Sequence, residues 1–254
     1  MTDELTLEDY LTQGGRLTNP TNVPARYRAE LMKIMARFVD SELAGAAGFA
    51  DMINAGPGIK ERIAAAKIVL EKTDNADRVL RLMGEFGANT ARYASHHPWS
   101  DRLPRDTAPG RTRNQHDMRL SVLNYPLAGW ADAVVMNYCM GTAVDLQLAD
   151  MARCSYQPLA EAIQTIRPIE ARHTELALEG LERLTETGQS ADVTSSLSYW
   201  RPRVAAVFGP VPDDRWQQLQ AWGLRHSRPD ALAQQWDQNA KSGLAEIGLA
   251  WPEN

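Results

Sequence analysis

The sequence predicts an all-α fold, with four core helices and further helices at the C-terminal end, in one domain spanning residues 1–254. Three observations predict it. Apolar residues recur at three-to-four spacing through long segments, as one face of a helix requires. Runs of alternating β-branched residues and tight hairpin turns, the signals of strands, do not occur. Ala, Leu, Glu and Arg dominate the chain, and all four favour helix.

Residues 1–24 read as a polar lead-in ending at Pro24. A first helix is expected from Arg26 to Met52, with Leu31, Ile34, Met35, Phe38, Val39 and Leu43 on one stripe, and Gly56-Pro57-Gly58 ending it. A second is expected from Lys60 to Phe86, where Ile63, Ala66, Val69 and Leu70 form one stripe, followed by Val79, Leu80, Leu82 and Met83. Residues 88–125 are a long polar stretch rich in Pro, Arg and His, of a length usually kept for function or disorder. A third helix, Trp130 to Cys154, is apolar nearly all round, the mark of a buried central helix. The fourth runs from Pro158 to Thr187 and carries Pro168, which removes a backbone donor and is expected to kink it. One or two more helices follow in the remainder.

Composition narrows the function. The hydrophobic fraction of 44% and charged fraction of 23% are ordinary for a globular protein. A net charge of −5 and a pI near 5.6 argue against a nucleic-acid partner. No apolar run reaches the roughly 18–20 residues that span a bilayer, and the acidic N-terminus is not a secretory signal. Cys139 and Cys154 lie in one apolar pattern and read as reduced thiols of a cytoplasmic protein.

Glu170-Ala171-Arg172-His173 carries the most chemistry. Helical residues three apart lie about 5–6 Å from each other on one face, so a carboxylate and an imidazole aim at the same spot. Bundles that bind two iron or manganese ions use two such pairs plus one acid from each of two further helices. Here there is one pair. Glu42, in a small and apolar stretch, is either a solvated residue or an inward ligand. Glu71 and Asp74 repeat the spacing with an acid in place of the imidazole, and Lys67 makes a charged surface turn the competing reading. Asp145 stands alone on the third helix and needs a partner, either a metal or an arginine such as Arg153 or Arg172. Carboxylate-rich ligation suits iron or manganese rather than zinc. The His96-His97 pair reads as solvent-exposed loop.

Asn124-Tyr125-Pro126, Trp130-Ala131-Asp132, the block Arg153 to Ala160, Glu170 to His173, Trp200-Arg201-Pro202, Phe208-Gly209-Pro210 and Trp222-Gly223-Leu224 occur in order over the second half. Ser41-Glu42 and Ala66-Lys67 extend the series more thinly into the first. In these landmarks the chain resembles the phenylacetic acid catabolic protein family, specifically its A-type catalytic subunits. The resemblance implies a ferritin-like bundle with a di-iron centre that activates O2 to epoxidise the ring of an aromatic acyl-CoA. It also implies oligomers with a second, non-catalytic ferritin-like chain, and a separate reductase.

Carried over residue by residue, the resemblance makes Glu42, Glu170 and His173 ligands. The first pair falls on Glu71 and Asp74 if Ala66-Lys67 sets the register, or on Lys72 and Asn75 without that one-residue shift. The third-helix acid falls on Gly141, with Asp145 one turn later as the nearby substitute. Two functions follow as expectations. One is an oxygenase component binding one or two iron ions, or manganese, through Glu42, Glu71, Asp74, Asp145, Glu170 and His173. The other is a metal-free structural or acyl-CoA-binding subunit with a degenerate site.

Overall fold

A computed structural model of the chain describes residues 6–93, 95–113 and 117–253. Its elements in chain order are α1 (Leu7–Thr12), α2 (Ala25–Met52), α3 (Ile59–Glu85), α4 (Thr90–Tyr93), α5 (Trp130–Met151), α6 (Gln157–Glu186), α7 (Ser190–Ala205), α8 (Asp213–Ala221) and α9 (Pro229–Glu246), with short 3₁₀ turns between some of them. No β-strand occurs among the described residues, so the fold is all-α as expected. The long helices α2, α3, α5 and α6 pack on one another, with α2 against α3 and α5 against α6, an arrangement consistent with a ferritin-like bundle. Helices α7 and α9 lie against α5.

Helix α2 buries Tyr27, Leu31, Met35, Phe38, Glu42 and Phe49 along one stripe. Helix α5 is buried on nearly every side between Asp132 and Gly141, the central position its composition calls for. Two glycines let α6 approach it. A Cβ at Gly141 would lie 2.2 Å from Thr174 Oγ1, and one at Gly180 would lie 2.9 Å from Val134.

Two expectations change. Helix α3 does not bury the stripe of Ile63 and Leu70, which are 62% and 61% exposed. Its inner stripe is Ala65, Ile68, Lys72, Asn75, Val79 and Met83; because two of these are polar, the hydrophobic pattern points to the wrong face. Helix α6 runs unbroken through Pro168, which sits on the exposed side where one lost backbone donor is tolerated.

The polar lead-in, whose first five residues lie outside those described, is not merely a tail. Leu17 is buried, accepts from Gln157 N at 2.8 Å and donates to Ser155 O at 3.2 Å. The 88–125 stretch, apart from residues 94 and 114–116, is irregular around α4 and a 3₁₀ turn at Ser121–Asn124.

The apolar interior divides in two. One half gathers around Tyr27, Met35, Val79, Tyr156 and Ile163, the other around Phe49, Ile68, Val135, Leu181, Trp200 and Trp236. Between them, across α2, α3 and α6, lies a polar layer.

Candidate functional site

The polar layer consists of Glu42 from α2, Lys72 and Asn75 from α3, and Glu170 and His173 from α6. Their exposures are 5%, 8%, 0%, 3% and 1%. Helical geometry places them there: Lys72 and Asn75 are three apart on the inner stripe of α3, as Glu170 and His173 are on α6. The Lys72 stem passes over Gly45, where a Cβ would stand 3.4 Å from its Cδ. Its ammonium then reaches Glu170 Oε2 at 2.8 Å and Glu42 Oε1 at 3.4 Å. Asn75 Nδ2 donates to the other Glu170 oxygen at 3.0 Å. At the edge of the layer, Glu71 meets His173 Nε2 at 2.7 Å and Lys67 at 3.5 Å.

The charges follow from these contacts. Burial opposes the Lys72 ammonium, but Glu170 and then Glu42 outweigh it and hold the lysine above its usual range. Burial also opposes the Glu170 carboxylate, yet Lys72 and His173 keep it well below the usual carboxylate range. Glu42 goes the other way: burial, then the charge of Glu170, pushes it up to about 8 despite Lys72. The layer therefore pairs the Lys72 ammonium with a charged Glu170, while burial and that charge favour the neutral form of Glu42.

Three polar atoms buried in this layer have no hydrogen-bond partner: Glu42 Oε2, Asn75 Oδ1 and His173 Nδ1. The last lies 3.4 Å from Glu170 Oε1 without hydrogen-bond geometry. A narrow space of about 70 Å³ adjoins the layer between Phe38, Met136, Met140 and Gly141.

Of the six residues expected as metal ligands, the structure brings Glu42, Glu71, Glu170 and His173 to this layer. It does not bring the other two. Asp74 is exposed, because the register that turns Lys72 and Asn75 inward turns it away. Asp145 is 38% exposed and paired with Arg167 at 2.7 and 3.2 Å, rather than with Arg153 or Arg172. Gly141 cannot be replaced by a carboxylate without moving Thr174. His96 is exposed, and the ring of His97 lies 5.2 Å from that of Trp99.

The family model for phenylacetic acid catabolic proteins matches residues 15–254. The chain belongs to this family. Among curated proteins it is similar to the A-type component of the 1,2-phenylacetyl-CoA epoxidase of Escherichia coli (strain K12), at 23% identity over 261 residues, covering 100% of this chain and 78% of that one.

Membership of a phenylacetic acid catabolic family raises the question of iron, and the residues present do not fit a di-iron centre. A cationic ammonium lies between two of the carboxylates that would have to bind the metal. Among the described residues, no group of three or more His, Cys, Asp or Glu side chains is placed to hold a metal ion. Nor is any helix among them long and apolar enough to cross a membrane. Of the two registers the sequence offers on α3, the structure turns Lys72 and Asn75 inward and leaves Asp74 exposed.

Proposed function

We propose that this chain is a metal-free subunit of a multicomponent oxygenase related to phenylacetyl-CoA epoxidase. In this reading it assembles in the cytoplasm, as one helical domain, with a second chain of the same family that performs the oxidation of an aromatic acyl-CoA. The observation that carries the reading is the Lys72 ammonium, 2.8 Å from Glu170 and 3.4 Å from Glu42. A lysine in this place supplies the positive charge that neutralises the buried Glu170 carboxylate, and it offers no coordination site while protonated.

A second reading keeps the chain as an iron-dependent oxygenase, with Glu42, Glu71, Glu170 and His173 as ligands and a reductase as electron source. Two unpartnered atoms able to ligate a metal favour it, Glu42 Oε2 and His173 Nδ1. It requires Lys72 to lose its proton and leave.

Elemental analysis separates the two. Protein expressed in iron- and manganese-supplemented medium is expected to hold far less than one metal ion per chain, and to co-purify with a second helical chain when its genomic neighbours are co-expressed. One or more iron ions per chain, lost in Glu170→Ala with His173→Ala, would overturn the first reading and establish the second.

A further inference from the structure

A second cavity, much larger than the space beside Lys72, lies where α3 and α5 begin and α6 ends. Its volume is about 350 Å³, within the range of small-molecule sites. It exists because the facing helices present small side chains: Ala64 and Ala65 from α3, Ala133 from α5, Ala177 from α6. Trp130 supplies a flat aromatic wall.

Polar groups sit at its two ends. At the inner end is Asn137, only 7% exposed, whose Nδ2 donates to the His173 carbonyl at 3.1 Å. Its Oδ1 accepts no hydrogen bond from the described residues. Asn137 belongs to the lining of this cavity, and a free acceptor in an otherwise apolar wall can take a donor from an occupant. At the mouth stand Glu61, Arg183 and Glu186. Arg183 Nε lies 3.9 Å from Glu61 Oε1, so the rim keeps one uncompensated negative charge on Glu186. Such a rim disfavours a polyphosphate, and with it the nucleotide part of a coenzyme A thioester.

We propose that this cavity is a binding site for an uncharged aromatic molecule carrying a hydroxyl or amide donor. The ring lies among the alanines against Trp130, and the donor reaches Asn137 Oδ1. The site shares Phe49 and Asn137 with the space beside the lysine–carboxylate layer but is not lined by Glu42, Lys72, Asn75, Glu170 or His173, and its occupant does not depend on which reading of that layer holds.

Isothermal titration calorimetry of the intact chain tests this with three probes: 4-ethylphenol, ethylbenzene and coenzyme A. The phenol is expected to bind saturably at one site per chain. Ethylbenzene, lacking the donor, is expected to bind roughly three- to tenfold more weakly, and coenzyme A not at all. Ala64→Leu fills the cavity at a half-buried position that tolerates the added bulk. It is expected to weaken phenol binding about tenfold or more, with the melting temperature of the free protein unchanged. Asn137→Ala is expected to make the phenol and ethylbenzene bind alike. The proposal is overturned by absent saturation at millimolar phenol, by phenol affinity indifferent to Ala64→Leu, or by coenzyme A binding as tightly as the phenol.

Discussion

Removing the Lys72 ammonium leaves Glu170 charged at 3% exposure, with Asn75 and His173 as its remaining polar neighbours. Breaking one partner out of a buried ion pair costs about 3–5 kcal/mol, whereas replacing the whole set by neutral groups can be nearly neutral. Lys72→Met is therefore expected to lower unfolding stability by that amount in urea at pH 7. Adding Glu42→Gln and Glu170→Gln should recover most of the loss; if the triple variant is as unstable as the single, the charges are not the cause. Glu42 gives a second expectation. Its carboxyl is pushed from 4.5 up to about 8 by burial and by Glu170, so the folded state holds its proton more tightly than the unfolded state. That stability is fully present below about pH 4.5 and is lost as pH rises towards 8. Glu42→Gln should flatten the decline of stability between about pH 5 and 8 measured by urea titration. An unchanged slope would remove Glu42 as its source.

At the scale of elements, the close approach of α5 and α6 depends on Gly141, opposite Thr174. Gly141→Ala gains helix propensity but forces its Cβ against Oγ1, and overpacking of this kind costs about 1–3 kcal/mol. Thr174→Ala in the same chain should relieve it, so a double-mutant cycle by thermal unfolding is expected to show coupling; strict additivity would mean that the two helices do not meet there. The helices themselves were legible in sequence because their apolar positions repeat at helical spacing. Helix α5 was read almost to its ends, since a helix buried on all sides needs no choice of face. Helix α3 was read as a helix, on the right face at Val79, Leu80 and Met83 but on the wrong one in its first half. Lys72 and Asn75 hold inner positions that periodicity expects to be apolar, while Ile59, Ile63 and Leu70 are exposed. The metal-ligand reading went to Glu71 and Asp74 for another reason, the register set by Ala66-Lys67, which the structure follows for Glu71 but not for Asp74. On α6, Glu170 and His173 are buried together.

Across the whole molecule, two buried aspartates fasten the irregular 88–125 stretch to the bundle. Asp132 accepts from Arg105 at 2.9 and 2.8 Å, from Ala128 N, from Ser196 and from Trp200 Nε1, and so joins the stretch to α5 and α7. Asp40 accepts from Tyr93 Oη at 2.8 Å and Met118 N at 2.6 Å, joining it to α2. Neither role could be read from sequence, because each depends on donors brought from distant parts of the chain. Asp132→Ala strands several buried donors and is expected to cost roughly 3 kcal/mol. It should also speed limited proteolysis between residues 95 and 113, where the chain would lose its anchor; unchanged cleavage would show that the stretch is held by other contacts. The family landmarks around Trp130-Ala131-Asp132 and Trp200 thus mark a structural joint as well as a resemblance.

Lys72 has one further consequence. An ammonium has no second oxidation state within biological reach, and its carboxylate partners do not change their spacing when an electron passes nearby. In the metal-free reading proposed above, the layer around the Lys72–Glu170 pair holds no group that takes or gives an electron. In that reading the spacing of α2, α3 and α6 at this layer does not depend on the redox state of its neighbours.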